Sequence, residues 1–111
     1  MAQRLELMKG SSECLLLCLI SQQPMYGYRI IKELEKRSQG YFKFKEGTLY
    51  PALHRLEKAG LIRGKWQMLP SGRQRRYCYI TDKGHRLLVV KRDQWQDFLT
   101  AMNLIIQPAS A

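Results

Sequence analysis

The side chains of this sequence that are best suited to chemistry are cations gathered in one segment. Residues 61–80 hold five of them and no acidic residue: Arg63, Lys65, Arg73, Arg75 and Arg76. Guanidinium and ammonium groups bind phosphate oxygens, and each such contact releases counterions condensed on a nucleic acid. The three arginines that follow Gly72 stand at an expected turn tip, where they repel one another unless an anion is near. The segment therefore favours binding of a phosphate backbone over a catalytic role.

The charge of the whole chain agrees with that interpretation. Its 111 residues carry 19 Lys and Arg against 9 Asp and Glu, a net charge of +10, and the pI is near 9.9. Such a charge on one small domain favours nucleic acid as the partner, and a basic protein that is merely soluble is the alternative. The longest apolar run, residues 15–20, is too short to span a bilayer. We therefore expect no membrane partner and a cytoplasmic location.

Catalytic and metal-binding patterns are weak in this sequence. The chain has two histidines, His54 and His85, no carboxylate pair with acid–base spacing, and no glycine-rich phosphate loop. Cys14 and Cys18, one helical turn apart, could supply two metal ligands, but no third ligand is near in sequence. We expect them, like Cys78, to be small buried residues. The sequence predicts a protein that is not an enzyme and has neither metal nor cofactor.

Breaker and capping residues delimit the elements that must position the cations. We predict helices over residues 6–22, 26–37, 46–59 and 82–106, a brief strand over residues 41–45, and a hairpin with strands at 61–67 and 73–80. Gly60 is expected to end the third helix in a left-handed conformation, and Thr81 or Asp82 to cap the last. The expected fold class is mainly α with a small β-hairpin. It divides into a winged helix-turn-helix over residues 1–81, a C-terminal dimerisation helix over residues 82–106, and a flexible tail over residues 107–111.

The third predicted helix has an apolar stripe centred on Leu49 and a polar opposite side. In a winged helix-turn-helix this helix enters the major groove of DNA, and the hairpin, or wing, lies along the backbone. Arg55 has donors that pair with guanine acceptors. We expect DNA contacts from the polar side and the residue before the helix: Lys45, Thr48, Tyr50, His54 and Arg55. A polar side that only meets solvent is the alternative.

Four segments make the sequence resemble the PadR family of bacterial transcription regulators, in its short subfamily with a single C-terminal helix. They are residues 24–28 (PMYGY), 46–57 (EGTLYPALHRLE), 72–77 (GRQRRY) and 81–84 (TDKG). The resemblance covers residues 15–106 and is most specific over residues 46–56. It also accounts for Pro51, an unusual residue inside a helix.

The resemblance implies a homodimeric repressor of transcription that a small molecule or stress signal releases from DNA. Because a homodimer is two-fold symmetric, we expect a palindromic operator in double-stranded DNA, with half-sites about one helical turn apart. The resemblance further implies DNA contacts from the following residues: Tyr26, Thr48, Tyr50, Arg73, Arg75 and Arg76. The chain departs from the family pattern in the wing, where Gln74 replaces a common proline, Cys78 a usual tyrosine, and Tyr79 a frequent basic residue.

The last predicted helix carries an apolar stripe that one small domain cannot cover. Its members are Leu88, Trp95, Phe98, Met102 and Ile105, which follow one another in steps of three or four from the tryptophan onward, and Leu99 widens the stripe. Pairing with the same helix of a second subunit would bury the stripe, and Leu5 and Met8 are expected to contribute. In some relatives the matching tryptophan lines a cavity at the dimer centre that binds flat aromatic drugs. The resemblance thus implies a planar aromatic effector at Trp95, and simple packing of the dimer interface is the alternative.

Two functions other than repression stay open at this point. A protein that sequesters a small molecule at Trp95 is one, although sequestration does not need a cluster of arginines. An RNA-binding winged helix is the other, because phosphate binding does not by itself distinguish RNA from DNA.

Overall fold

The computed structural model describes the backbone of residues 2–107 and the side chains of residues 11–107. In chain order the elements are α1 (Ala2–Gln22), β1 (Met25–Tyr26), α2 (Gly27–Arg37), α3 (Glu46–Lys58), β2 (Ile62–Met68), β3 (Gln74–Ile80) and α4 (Asp82–Ile106). The strands form an antiparallel sheet in the order β1-β3-β2. Helices with a small hairpin and a long C-terminal helix confirm the expected fold class, a winged helix-turn-helix.

The core lies between the first three helices and the base of the hairpin. Leu16, Leu17 and Ile20 of α1 are buried at its centre, and the buried residues Met25, Ile30, Leu49 and Leu56 pack around them. In α3 the buried residues recur at positions 49, 52, 53 and 56, the spacing of one helical side. One side of α3 is therefore fixed in the core, and the opposite side faces solvent.

Helix α3 ends at the glycine that the sequence indicates. Gly60 has a φ of +78°, a left-handed conformation that glycine adopts without a steric penalty. Its N–H donates to the carbonyl of Glu57 at 2.9 Å, and the N–H of Leu61 donates to the carbonyl of Leu56 at 2.9 Å. This is the Schellman arrangement, which satisfies the last carbonyls of the helix.

The start of α4 is bonded to the end of α3. The Thr81 hydroxyl accepts a hydrogen bond from the N–H of Gly84 at 3.0 Å, so Thr81 and not Asp82 is the capping residue. The same hydroxyl donates to the carbonyl of Gly60 at 2.7 Å, and Lys83 Nζ donates to the carbonyl of Ala59 at 2.9 Å. The direction of α4 is thus set by the end of the helix that carries the predicted DNA contacts.

One predicted helix boundary and one predicted strand are wrong. Helix α1 begins at Ala2 and not at residue 6, because residues 2–5 include no helix breaker. Residues 41–45 form no strand; the buried Phe44 and half-buried Phe42 anchor this segment to the core instead. The brief strand is Met25–Tyr26, which follows Pro24 and pairs with Cys78 and Tyr77 of β3.

Helix α4 extends beyond the rest of the molecule. Its first half packs on α1, where Leu88 is buried and Lys91 Nζ forms an ion pair with Glu13 Oε2 at 3.3 Å. Its second half is exposed, with Phe98 at 48% and Ile105 at 85% exposure. The molecule measures 63 × 28 × 24 Å, and its radius of gyration is 16.1 Å, against about 13 Å for a compact chain of this length. No helix among the described residues is long and apolar enough to cross a membrane.

Some predictions fall on residues outside this description. The contributions of Leu5 and Met8 to a dimer concern side chains that lie outside the described residues. The tail predicted over residues 107–111 lies outside them too, apart from its first residue.

Candidate nucleic-acid interface

The exposed side of α3 carries each contact residue that the sequence predicts there. The exposed side chains are Thr48, Tyr50, His54 and Arg55, with Lys45 exposed at the N-cap position. Pro51 lies inside the helix without ending it. A proline lacks an N–H and leaves the carbonyl four residues earlier unpaired, which here belongs to the exposed Gly47. Water can satisfy that carbonyl, so the helix stays continuous.

Tyr50 connects α3 to the first turn of α2. A Cβ at Gly27 would lie 2.5 Å from the Tyr50 hydroxyl and 2.9 Å from its ring carbons. The tyrosine ring thus occupies the space that a side chain at position 27 would fill. The ring still keeps an exposed fraction of 49%, so Tyr50 is held in place and remains accessible.

Tyr26 connects the same turn of α2 to the wing. The Arg75 guanidinium carbon lies 4.1 Å from the centroid of the Tyr26 ring, a cation–π contact. The Tyr77 ring meets Tyr26 edge-on, with centroids 5.5 Å apart, because β1 and β3 pair these residues directly. Since Tyr26 precedes Gly27, these contacts and that of Tyr50 form one continuous surface. We call Arg75, Tyr26 and Tyr50 the tyrosine–arginine surface.

Further cations lie on the same side of the wing as Arg75. Side chains alternate along a strand, so Tyr79 shares this side, as the sequence predicts. Lys65 Nζ lies 5.8 Å from the Tyr79 ring centroid, and the Gln67 amide donates to the Tyr79 hydroxyl at 2.6 Å. Arg73, just before β3, is exposed. The wing therefore presents cations supported by aromatic rings, an arrangement that suits a phosphate backbone.

Arg76 differs from the other wing arginines, because it points to the opposite side of β3. Its Nη1 donates to Glu57 Oε2 of α3 at 3.0 Å, and its Nη2 forms a second, shorter hydrogen bond with Oε1. The hydrogen bonds from Arg76 lower the pKa of the Glu57 carboxyl, and the bonds to Glu57 raise the pKa of Arg76. Of the predicted contact residues in the wing, Arg76 thus has its charge paired with a carboxylate of the protein itself.

Sequence reasoning missed three residues that shape this surface: Gly27, Glu57 and Gly64. Gly27 and Glu57 fall in segments 24–28 and 46–57 that carry the family resemblance, but neither the resemblance nor the residue type assigns them a contact. A glycine has no side chain of its own, so its role depends on neighbours that the sequence does not identify. The available signal was Gly64 within a β-strand, because an interior strand glycine often marks a close approach of another group.

The predicted dimer and ligand residues separate into groups in the monomer. Trp95 and Leu99 line an apolar cavity of about 320 Å³ between α1, the segment after α2, and α4; its other lining residues are Ser11, Cys14, Leu15, Tyr41 and Phe42. The Phe98 ring packs edge-on against Trp95 with centroids 5.5 Å apart. Leu88 belongs to the core, whereas Met102 and Ile105 lie on the exposed second half of α4.

The cysteines are placed largely as the sequence predicts. Cys14 and Cys78 are buried and Cys18 is half-buried, with Cys14 Sγ 3.9 Å from Cys18 Sγ. Burial, followed by the neighbouring Cys18, raises the pKa of the Cys14 thiol to about 11. Among the residues with described side chains, no group of three metal-binding residues lies together.

Known proteins resemble this chain both in sequence and in fold. The sequence model of the transcriptional regulator PadR-like family matches residues 16–89. A PadR-like transcriptional regulator from Bacillus cereus is 35% identical, with a TM-score of 0.83 over 94% of this chain and 99% of its own. A transcriptional regulator from Clostridium thermocellum is 27% identical, with a TM-score of 0.81 over 92% and 99% of the two chains. An uncharacterized protein of Lysinibacillus sphaericus is 30% identical over 94% of this chain and 95% of its own.

Proposed function

We propose, from the premise that this chain belongs to the PadR-like family of transcriptional regulators, that it binds a specific sequence of double-stranded DNA and represses transcription there. As a homodimer it would bind a palindromic operator, with two-fold symmetry shared by protein and DNA. Regulators of this family are non-enzymatic in general, and we propose no catalytic activity for this chain. A regulator of this kind acts where the DNA is, which supports the cytoplasm as its location.

The observation that carries the proposal is the tyrosine–arginine surface. Its three members come from residues 26, 50 and 75, which are far apart in sequence. Arg75 lies on Tyr26, and Tyr50 lies on Gly27, the next residue along the chain. The turn of α2, the exposed side of α3 and the wing therefore meet on one surface. That is the combination a duplex needs in order to contact one helix in its major groove and a hairpin on its backbone.

Within this surface the residues divide by what they can contact. Thr48 and Arg55 lie on the exposed side of α3, and Arg55 can donate two hydrogen bonds to a guanine. Arg73 and Arg75 in the wing would neutralise phosphates and contribute affinity that does not depend on sequence. Lys45, at the N-cap of α3, and His54, in the middle of that helix, complete the expected contacts.

Arg75→Gln is expected to weaken binding to every duplex alike. A lost phosphate contact reduces the slope of log K against log salt concentration by about 0.9. Fluorescence anisotropy over a series of salt concentrations measures this slope, with a duplex selected from random DNA and a scrambled duplex of equal length. Lys36→Gln is the matched control, because Lys36 is an exposed cation near the end of α2, away from the proposed surface.

Two results would count against this assignment. A loss of affinity confined to the selected duplex would make Arg75 a base contact and not a phosphate contact. Stronger binding of the wild-type protein to single-stranded RNA than to duplex DNA would replace the proposed function with RNA binding.

We propose that the cavity beside Trp95 takes the effector that releases the protein from DNA, a planar aromatic molecule. Its volume of about 320 Å³ and its lining of Trp95, Phe42 and Leu15 suit a flat apolar ligand. Trp95 lies on α4, whose first residues are bonded to the end of α3. A ligand that shifts α4 could therefore alter the position of α3.

Acridine is expected to quench the emission of Trp95 saturably when added to a Trp66→Phe variant, which leaves Trp95 as the single tryptophan. The ring would stack in the cavity against the indole. Leu99→Phe, which fills part of the cavity, should weaken the quenching at equal acridine concentration. Quenching that is non-saturable, or that follows Trp66 in a Trp95→Phe variant, would mean that Trp95 only packs the interface.

A further inference from the structure

The wing and the DNA-facing helix are joined through one cluster of polar groups. Glu57 of α3 accepts two hydrogen bonds from the Arg76 guanidinium of β3 and one from the N–H of Gly64 of β2, the last at 3.3 Å. We call these three residues the α3–wing clamp. The two side chains of the clamp are about one-third to two-fifths exposed, so it lies at the edge of the core and not within it.

Gly64 provides the space in which the Arg76 side chain lies. The register places Trp66 opposite Arg76 and Gly64 opposite Cys78, so Gly64 and Arg76 are diagonal neighbours on one side of the sheet. A Cβ at position 64 would overlap the Arg76 guanidinium itself. The arginine therefore reaches Glu57 through the space that a side chain at position 64 would fill, and a Cβ there would force the guanidinium to shift from its present position. The contact thus joins one helix, α3, to both strands of the hairpin, β2 and β3.

We infer that Glu57 and Arg76 are positioning residues that hold the wing at the angle to α3 that simultaneous contact with DNA requires. This inference rests on the proposed function. Arg76 is then not a phosphate contact, in contrast to what the sequence pattern predicts for it. Its guanidinium, held in a planar two-bond pair with a carboxylate, acts on DNA only through the orientation of Arg73 and Arg75.

The two roles of Arg76 predict opposite effects for Glu57→Gln. If Arg76 bound phosphate, the loss of a competing carboxylate would release it, strengthen DNA binding and steepen the salt dependence. If the clamp positions the wing, the same variant weakens binding. We expect a loss of about fivefold, the size that a partly exposed ion pair supports, with no increase in the salt slope.

The test uses the full chain in four forms: wild type, Glu57→Gln, Arg76→Gln, and the reversed pair Glu57→Arg with Arg76→Glu. Anisotropy titrations with the selected duplex give affinity and salt slope. Hydrogen exchange of the Gly64 amide, which donates to Glu57, reports the clamp without DNA. We expect faster exchange at Gly64 in both single variants, weaker DNA binding in both, and recovery of more than half of the lost affinity in the reversed pair.

The outcomes separate this inference from the proposed function. Tighter binding by Glu57→Gln, or a salt slope reduced by about 0.9 in Arg76→Gln with unchanged Gly64 exchange, would make Arg76 a phosphate contact. Wild-type protein that binds no duplex would overturn the proposed function alone, and the exchange rates would still decide whether the clamp exists. Unchanged exchange at Gly64 in both single variants would overturn the clamp.

Discussion

If the protein is the homodimer proposed above, the double variant Phe98→Glu with Met102→Glu is expected to be a monomer at concentrations where the wild-type protein is dimeric. In the single chain both side chains lie on the second half of α4, with exposed fractions of 48% and 40%. A second copy of α4 would bury them together with the exposed Leu99 and Ile105, since a cluster of exposed apolar side chains marks a surface for protein–protein contact. Two carboxylates placed in that interface would have to be desolvated without a partner. Light scattering coupled to size exclusion measures the mass directly.

Loss of the dimer should also weaken operator binding by about 10²-fold to 10⁴-fold. In a dimer the second half-site is bound intramolecularly, at a high effective concentration. A monomer loses that contribution although its own winged domain is unchanged. Anisotropy with a duplex that holds both half-sites should show the full loss. A duplex with one half-site should show a much smaller one.

Gln96→Glu with Thr100→Glu is the matched control. It adds the same charge with the same spacing of four residues, on a different side of α4. This control should remain a dimer and bind the operator as the wild type does. A dimeric Phe98→Glu/Met102→Glu protein would mean that the two copies meet elsewhere, and equal dissociation of both variants would point to general charge repulsion.

Much of the fold could be predicted because its element ends depend on local chemistry. Gly60 ends α3 through a left-handed residue and two backbone hydrogen bonds, and Thr81 caps α4 with its own side chain. Such ends are set within a few residues, so the sequence displays them directly. The alternation of Cys78 with Tyr77 and Tyr79 likewise places one side of β3 in the core, since strand side chains alternate.

The features that could not be predicted depend on partners that are distant in sequence. Residues 41–45 alternate as a strand does, but among the described residues the sheet consists of β1, β3 and β2 only, and this segment packs on the core through Phe42 and Phe44 without pairing with a strand. In the same way, Arg75 and Arg76 are equivalent as charges in a sequence. Glu57 and Gly64 distinguish them, and the distance between Arg76 and Glu57 follows only from the packing of the hairpin on α3.

A second large effect is expected from Gly84→Ala, at the junction between the hairpin and α4. A Cβ at Gly84 would lie closer to the carbonyl oxygen of Leu61 than van der Waals contact allows, and 2.7 Å from Ile80 Cγ1. That oxygen accepts the N–H of Thr81 at 3.0 Å, so neither the backbone of Leu61 nor that of α4 can move without breaking the junction. Because the contact is with backbone, we expect the upper end of the overpacking cost, about 3 kcal/mol, of which the helix propensity of alanine returns about 1 kcal/mol.

Gly47→Ala provides the control, because Gly47 is also a glycine in the first turn of a helix. A Cβ there meets nothing within 4 Å, so alanine should leave stability unchanged or raise it by about 0.5 kcal/mol. Thermal unfolding at one fixed protein concentration compares the variants, since the proposed dimerisation would make Tm depend on concentration. A net loss of about 2 kcal/mol lowers Tm by roughly 10 °C in a domain of this size. Equal unfolding temperatures for Gly84→Ala and Gly47→Ala would contradict this prediction. In that case α4 could not lie as close to Leu61 as described, and the junction of α4 with α3 would be looser than its hydrogen bonds indicate.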